Sequence, residues 1–134
     1  MSNVLLATTE DWVLDEVDSA LGGAHTVHRV RAGADVLAAI GEVNPNLVIL
    51  DLQIGNMGGI ATCMEIRLEQ TAERIAPQRV MMLLDRQADT HLAQRCESDG
   101  WLVKPLDSLR LSRTAAKIMN GETHHEGLAD AAAG

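Results

Sequence analysis

Short apolar runs alternate with amphipathic segments along most of this chain. Residues 4–7, 47–50 and 80–84 are continuously apolar and too short for helices, which is typical of strands buried inside a sheet. Residues 26–30 alternate between apolar and polar side chains, as a half-buried or edge strand does. Residues 101–103 form a short last run. The pattern therefore predicts five strands.

Apolar residues at helical spacing follow each of these runs. They predict five helices, near residues 13–21, 36–43, 60–67, 92–96 and 109–119. Five alternations of strand and helix imply an α/β fold, in which a doubly wound parallel sheet is covered by helices on both faces. In such sheets the functional site lies at the carboxyl ends of the strands.

The length of the chain and its last residues bound the domain. A chain of 134 residues suits one domain, which we place at residues 1–120. Residues 121–134 are polar and alanine-rich without a core-forming pattern, so this tail is predicted to be disordered. His124 and His125 lie within it, and we expect them to be inert rather than metal-binding.

Composition and charge argue against several functions. The formal net charge is −8, so the surface repels a phosphate backbone, and direct nucleic-acid binding is not expected. No apolar run approaches the roughly 20 residues that a membrane span needs. The first residues lack the pattern of a signal peptide, so a cytoplasmic location is expected.

Cys63 and Cys96 belong to no CxxC pair and are predicted to be buried thiols.

Polar residues stand at the ends of the predicted strands. Thr8 and Thr9 follow the first strand, Asp51 ends the third, Asp85 follows the fourth and Lys104 follows the fifth. Because the carboxyl ends of parallel strands share one edge of the sheet, we expect these side chains to converge. An acid and an amine would then meet at the edge where such folds bind their ligands.

Two segments resemble a known family. Residues 46–52, NLVILDL, followed by MGG at 57–59, resemble the part of a response-regulator receiver domain whose third strand ends on a phosphoacceptor aspartate. Residues 101–105, WLVKP, resemble the end of that family's fifth strand. The resemblance covers roughly residues 3–120. It implies a flavodoxin-like, five-stranded parallel sheet with the strand order 2-1-3-4-5.

The resemblance implies chemical roles for residues at this edge. Asp51 would accept the phosphoryl group, and Lys104, with Asp85 beside it, would contact the phosphate. Mg²⁺ would neutralise the incoming charge, held by Asp51 and by the backbone carbonyl of Gln53. Taken by itself, Asp85 is more typical of a solvated loop charge than of a substitute metal ligand.

Two further positions correspond to the family's conformational switch. Leu84 stands where a hydroxyl residue normally contacts the phosphoryl group, and Trp101 stands at the switch aromatic. Trp101 has two interpretations of equal weight. It packs within its strand, or it is a partly exposed anchor on the face of the fourth helix, fifth strand and fifth helix, where the family's partners dock. Trp12 is expected to pack near the rim of the site.

The metal site departs from the family pattern. The family's acidic pair after the first strand falls on Thr8 and Thr9, whose hydroxyls are neutral and poor Mg²⁺ ligands. Glu10 and Asp11 are the nearest substitutes, although helix geometry is expected to turn at least one of them away. We therefore expect Mg²⁺ binding to be weak.

Further departures lie at the switch and in the loop after the acceptor. Leu84 has no hydroxyl to offer. The usual Pro and Asp of the loop are Gly55 and Gly58, which loosens the backbone there. With Asp51 and Lys104 still present, these departures favour weak or absent phosphorylation.

The sequence thus predicts a receiver-like module of phosphorelay signal transduction, without an output domain, that acts by docking. Its expected partners are a histidine kinase, a phosphotransferase or an effector protein, and a weak homodimer through the face of the fourth helix, fifth strand and fifth helix is compatible with the resemblance.

No nucleophile elbow or metal cluster supports an enzyme. Two alternatives stay open: a normally phosphorylated single-domain response regulator, and a flavodoxin-like flavin or nucleotide binder. Glu10 and Asp11 disfavour the second, because they would repel phosphate.

Overall fold

The computed structural model describes residues 2–54 and 57–125. The strands are β1 (Ser2–Ala7), β2 (His25–Val30), β3 (Leu47–Asp51), β4 (Val80–Leu84), β5 (Gly100–Val103) and β6 (His124–His125). The helices are α1 (Asp11–Leu21), α2 (Val36–Val43), α3 (Gly59–Thr71), α4 (Thr90–Arg95) and α5 (Ser108–Met119). Short 3₁₀ turns at Gly33–Asp35 and Gln87–Asp89 lead into α2 and α4. Among the helices of these described residues, none is long and apolar enough to cross a membrane.

The strands form one parallel sheet in the order β2-β1-β3-β4-β5-β6. This confirms the α/β doubly wound fold and the order expected for the first five strands. The predicted count of five strands is wrong, because His124 and His125 pair with β5 as a sixth strand. These two residues belong to the segment 121–134 that was predicted to be disordered, so that prediction does not hold for them. Residues 126–134 lie outside the described part of the chain.

Each face of the sheet carries its own apolar core, because alternate side chains of a strand point to opposite faces. β3 and β4 are buried along their whole length, as their continuous apolar runs predict. On one face α2, α3 and α4 contribute core side chains such as Val36, Ile66 and Ala93. On the other face α1 and α5 contribute Val17 and Leu111. The prediction of helices on both faces is confirmed.

Local capping fixes where α2 ends and where α5 begins. Asn44 adopts a left-handed conformation, with φ of 51°, and ends α2 before Pro45. The Asp107 side chain accepts a hydrogen bond from the backbone N–H of Arg110 at 2.9 Å. This cap starts α5 shortly after Lys104. The chain therefore turns away from the sheet as soon as the lysine has been placed at its edge.

Both cysteines are buried and free, as the sequence predicts. The Cys63 thiol donates to the carbonyl oxygen of Cys96 at 3.2 Å, and the Cys96 thiol donates to that of Ala93 at 3.2 Å. Hydrogen bonding to Cys96, together with burial, raises the pKa of the Cys63 thiol. Cys63 is thus a packing residue with little thiolate character.

Candidate functional site

Four polar side chains from separate strand ends meet at the carboxyl edge of the sheet. Thr8 follows β1, Asp51 ends β3, Asp85 follows β4 and Lys104 follows β5. Hydrogen bonds of 2.8 Å join Thr8 to Asp51, Lys104 to Asp51 and Lys104 to Asp85. The convergence expected from the strand ends is therefore present for these four residues, while Thr9 is exposed beside them.

Asp51 is the buried centre of this cluster. Its Oδ1 accepts a hydrogen bond from Lys104 Nζ at 2.8 Å and a longer one from the Gln53 backbone N–H at 3.4 Å. Its Oδ2 accepts from the Thr8 hydroxyl at 2.8 Å. That hydroxyl in turn accepts from the Glu10 backbone N–H at 3.1 Å. A buried charge is costly unless it is paired and hydrogen-bonded, and this carboxylate has a strong partner on each oxygen.

Lys104 bridges two carboxylates. Its Nζ lies 2.8 Å from Asp51 Oδ1 and 2.8 Å from Asp85 Oδ1. Burial acts to lower the pKa of Lys104, but the hydrogen bonds and charges of Asp51 and Asp85 outweigh burial and raise that pKa. The half-exposed Trp12 ring lies at the rim, with its centroid 5.5 Å from the ammonium, within cation–π range. Lys104 is thus held in its charged form, and Asp85 is its second counter-ion rather than a free loop charge.

The two acids at the start of α1 face solvent. Glu10 and Asp11 are both exposed. Asp11 Oδ1 lies 3.2 Å from an Arg29 guanidinium nitrogen and 3.6 Å from one of Arg31. Arg29 is itself anchored, because its Nε donates to the carbonyl oxygen of Thr8 at 2.8 Å. These arginines draw Asp11 toward β2, and two exposed acids in this loop do not favour a flavin or nucleotide phosphate.

The residues at this edge do not fit a Mg²⁺ site of the kind that the resemblance implies. The expected ligands are Asp51, Gln53, Glu10 and Asp11. Within residues 2–54 and 57–125, no group of three or more His, Cys, Asp or Glu side chains is placed to hold a metal ion. Thr8 offers a neutral hydroxyl to Asp51 where a second carboxylate would be needed.

The two switch positions are both fully buried. Leu84 ends β4 in register with Val103 of β5 and has no hydroxyl to donate to a phosphoryl group. Trp101 belongs to the apolar core on the face of α2, α3 and α4. Of the two interpretations of Trp101, packing within the strand is the one that the structure shows, and the partly exposed anchor is wrong. One of its contacts is not revealed by the sequence pattern.

That contact comes from the end of the described chain. The His125 ring stacks on the Trp101 ring, with centroids 4.6 Å apart and planes 1° apart. A strand of two residues is too short to give a periodic signal, so the sequence pattern assigns His125 to the tail. The only hint in the sequence is a planar side chain placed soon after the last helix.

One glycine beside the site has a steric role. Gly55 lies outside the described residues, so its expected effect on the loop stays a prediction. Gly58 has φ of −60° and ψ of 160°, a conformation open to any residue. A Cβ on Gly59, in contrast, would overlap the carbonyl oxygen of Asp51. Glycine at this position is what lets the start of α3 pack against the end of β3.

Comparison with known proteins was made by sequence and by structure. The family model described as "Response regulator receiver domain" matches residues 4–116. A search of curated proteins gives no significant match. Among solved structures, the chemotaxis response regulator CheY4 of Vibrio cholerae is 21% identical, with a TM-score of 0.77, over 88% of this chain and 98% of that one.

Two further solved structures are similar over nearly their whole length. The two-component response regulator of the LuxR family from Aurantimonas sp. SI85-9A1 is 18% identical, with a TM-score of 0.81, over 97% of this chain and 94% of that one. The receiver domain of NtrX from Brucella abortus is 22% identical, with a TM-score of 0.76, over 89% of this chain and 99% of that one. At these identities the structures establish a shared fold. Because the family model spans most of the sequence, this chain belongs to the response regulator receiver domain family.

Proposed function

We propose that this chain is a receiver module of phosphorelay signalling that acts by docking to partner proteins, and that Asp51 is phosphorylated slowly or not at all. The observation that carries the proposal is the surroundings of Asp51. Each of its oxygens accepts a 2.8 Å hydrogen bond, one from Lys104 and one from Thr8. Thr8 thus puts a neutral hydroxyl against Asp51 where Mg²⁺ binding calls for a second carboxylate.

Phosphoryl transfer to Asp51 would bring two negative groups together. The transferring group needs positive charge close to its oxygens. At this edge the charge comes from Lys104, which is already shared between Asp51 and Asp85. Each carboxylate missing from the metal site is worth on the order of 1–4 kcal/mol at the effective dielectric of a partly exposed site, or roughly fivefold to almost a thousandfold in Mg²⁺ affinity. Slow transfer follows from that deficit.

The proposed docking surface is the face of α4, β5 and α5. Two of its elements expose apolar side chains, Leu92 on α4 and Leu109 on α5, which are 42% and 57% exposed. Apolar side chains exposed among polar neighbours suit a protein partner. The net charge of −8 favours a partner with a positive surface. Partners of this description are a histidine kinase, a phosphotransferase or an effector, and a weak homodimer would use the same face.

Intact-mass measurement tests the phosphorylation part of the proposal. The chain is incubated with acetyl phosphate and Mg²⁺, and the mass is followed over time. We expect little or no phosphoryl addition, because Thr8 supplies a neutral hydroxyl where Mg²⁺ binding needs a carboxylate. An Asp51→Asn variant controls for modification elsewhere. Prompt addition of one phosphoryl group that this variant loses would instead support a normally phosphorylated response regulator.

Binding measurements test the docking part. Isothermal titration with a histidine kinase or a phosphotransferase would compare Leu92→Ser and Leu109→Ser with Leu68→Ser. Leu68 is the matched control, since it is 67% exposed on α3, outside the proposed face. We expect the first two variants to weaken binding by about tenfold or more and the control to leave it unchanged. Equal affinities for all three variants would rule out this face.

A further inference from the structure

The sixth strand lies beyond the part of the chain that the family model matches, which ends at residue 116. His124 and His125 pair in parallel with Gly100 and Trp101 of β5. The backbone N–H of His124 also donates to the carbonyl oxygen of Asp99 at 3.1 Å. Without this pair, β5 would be the edge of the sheet, with free backbone groups along one side.

The same segment covers the only aromatic residue of the apolar core described above. Trp101 is 0% exposed, and the His125 ring lies flat against it at a centroid distance of 4.6 Å. The two rings share a face of the sheet because Trp101 and His125 are register partners. The neighbouring His124 therefore points to the opposite face, on the side of Gly100.

Two glycines allow the segment to reach β5. Gly121 follows α5 with φ of 93°, a conformation that L side chains rarely adopt, and it turns the chain back toward the sheet. At Gly100, an added Cβ would lie 2.8 Å from the carbonyl oxygen of His124 and 3.1 Å from its nitrogen. A side chain there would push the backbone of β6 away. Gly121 in the turn and Gly100 on β5 thus both allow β6 to lie close to β5.

We propose that residues 121–125 form a displaceable cover, bound within the same molecule, that closes the β5 edge and hides Trp101. Within the described residues it pairs with β5 over two residues and stacks one ring on Trp101, and such short strand pairs are marginally stable. When the cover is released, β5 offers a strand edge with an indole beside it. An extended partner segment that carries a planar ring could take the place of His125.

The cover lies on β5, in the middle of the proposed docking face. Its importance for docking rests on the proposed function, whereas its existence does not. In its closed position the cover keeps the strand edge and the indole from any partner, so release of residues 121–125 would be the step that admits one. The cover can be measured in the full chain without a kinase or a phosphodonor, and it is independent of whether Asp51 is phosphorylated.

Fluorescence quenching by acrylamide tests the cover directly. The chain has two tryptophans, so a Trp12→Phe background leaves Trp101 as the only indole. In that background, His125→Ala removes the stacked ring and Gly100→Ala displaces β6. We expect both to raise the quenching constant of Trp101 about twofold or more, since the indole loses a covering ring. His124→Ala is the matched control on the opposite face, and it should keep the background value.

Hydrogen exchange separates release of the cover from unfolding. In His125→Ala the amides of residues 100–103 should exchange faster, while those of β3 keep the protection of the background protein. Equal quenching constants for His125→Ala, His124→Ala and the background protein would overturn the proposal. So would quenching of the background protein that rises on dilution with a shift from dimer to monomer, because the ring on Trp101 would then come from a second copy. Failure of the phosphorylation or binding tests would leave these readouts unchanged.

Discussion

Lys104 Nζ lies 2.8 Å from Asp51 Oδ1, and the aspartate side chain is fully buried whereas the lysine is 13% exposed. The two residues are 53 positions apart in the sequence. They meet because β4 alone lies between β3 and β5 in the sheet. A buried carboxylate at a strand end is thus stabilised by a lysine that reaches over the end of the neighbouring strand. Removing either partner would leave the other charge without its counter-ion in a buried place.

Replacing Lys104 by Met should destabilise the protein strongly. The substitution keeps the length of the side chain but leaves Asp51 buried without its cation, which costs about 3 kcal/mol or more in the free energy of unfolding. Urea unfolding measures the change. Asp85→Asn is the control, because Asp85 is 32% exposed and Asp51 keeps its partner, so its cost should stay under about 1 kcal/mol. Equal costs for the two variants would contradict a special role for the buried pair.

The same pair should make stability fall at alkaline pH. The pKa of Lys104 in the folded protein is raised above its ordinary value of 10.5. Its contribution is therefore fully present below about pH 10 and is lost as the pH rises through the folded-state pKa. The measurement is the difference in unfolding free energy between the wild type and Lys104→Met from pH 8 to pH 12. The difference should be constant at first and shrink above about pH 10.5. A difference that stays constant throughout would show that the lysine is not the titrating group.

Neighbouring glycines at the start of α3 should respond differently to alanine. A Cβ at position 59 would overlap the Asp51 carbonyl, whereas the nearest atom of the described residues to one at position 58 would be the Leu52 carbonyl oxygen, at 3.9 Å. Gly59→Ala should therefore cost about 2 kcal/mol, as overpacking against backbone does. Gly58→Ala should stay within about 0.5 kcal/mol of the wild type. Urea unfolding of both variants checks this, and the reverse order would mean that α3 does not pack against β3 as described.

Most of the fold could be predicted because its strongest signals come from buried central strands. β3 and β4 are continuously apolar and buried at every position, so their boundaries are visible in the sequence. β6 is different, since His124 and His125 are polar and form only two residues of strand. Its pairing comes from the turn at Gly121 and from the space above Gly100, which are properties of the assembled fold. Local sequence patterns carry no such information.

The candidate site could be predicted in its position and less well in its contacts. Strand ends place Asp51 and Lys104 at one edge, and strand order is enough to bring them together. The pairing of Asp85 with Lys104 depends on where the backbone turns after β4, which spacing does not specify. The sequence pattern does not determine whether Trp101 is buried, because the exposure of a side chain at the edge of a sheet depends on whether another strand covers it. Here His125 does so.

Restoring a carboxylate at Thr8 should restore a response to Mg²⁺. Thr8 donates to Asp51 from a fully buried position, so Thr8→Asp would place two like charges in contact and lower the melting temperature in the absence of metal. Mg²⁺ at about ten times its dissociation constant would return about 1.4 kcal/mol of stability, which is roughly 4 °C in a domain of this size. Thr8→Asn, which has the same shape without the charge, should show no such shift, and neither should the wild type. A wild-type melting temperature that rises with Mg²⁺ as much as that of Thr8→Asp would mean that the neutral hydroxyl is not what weakens metal binding.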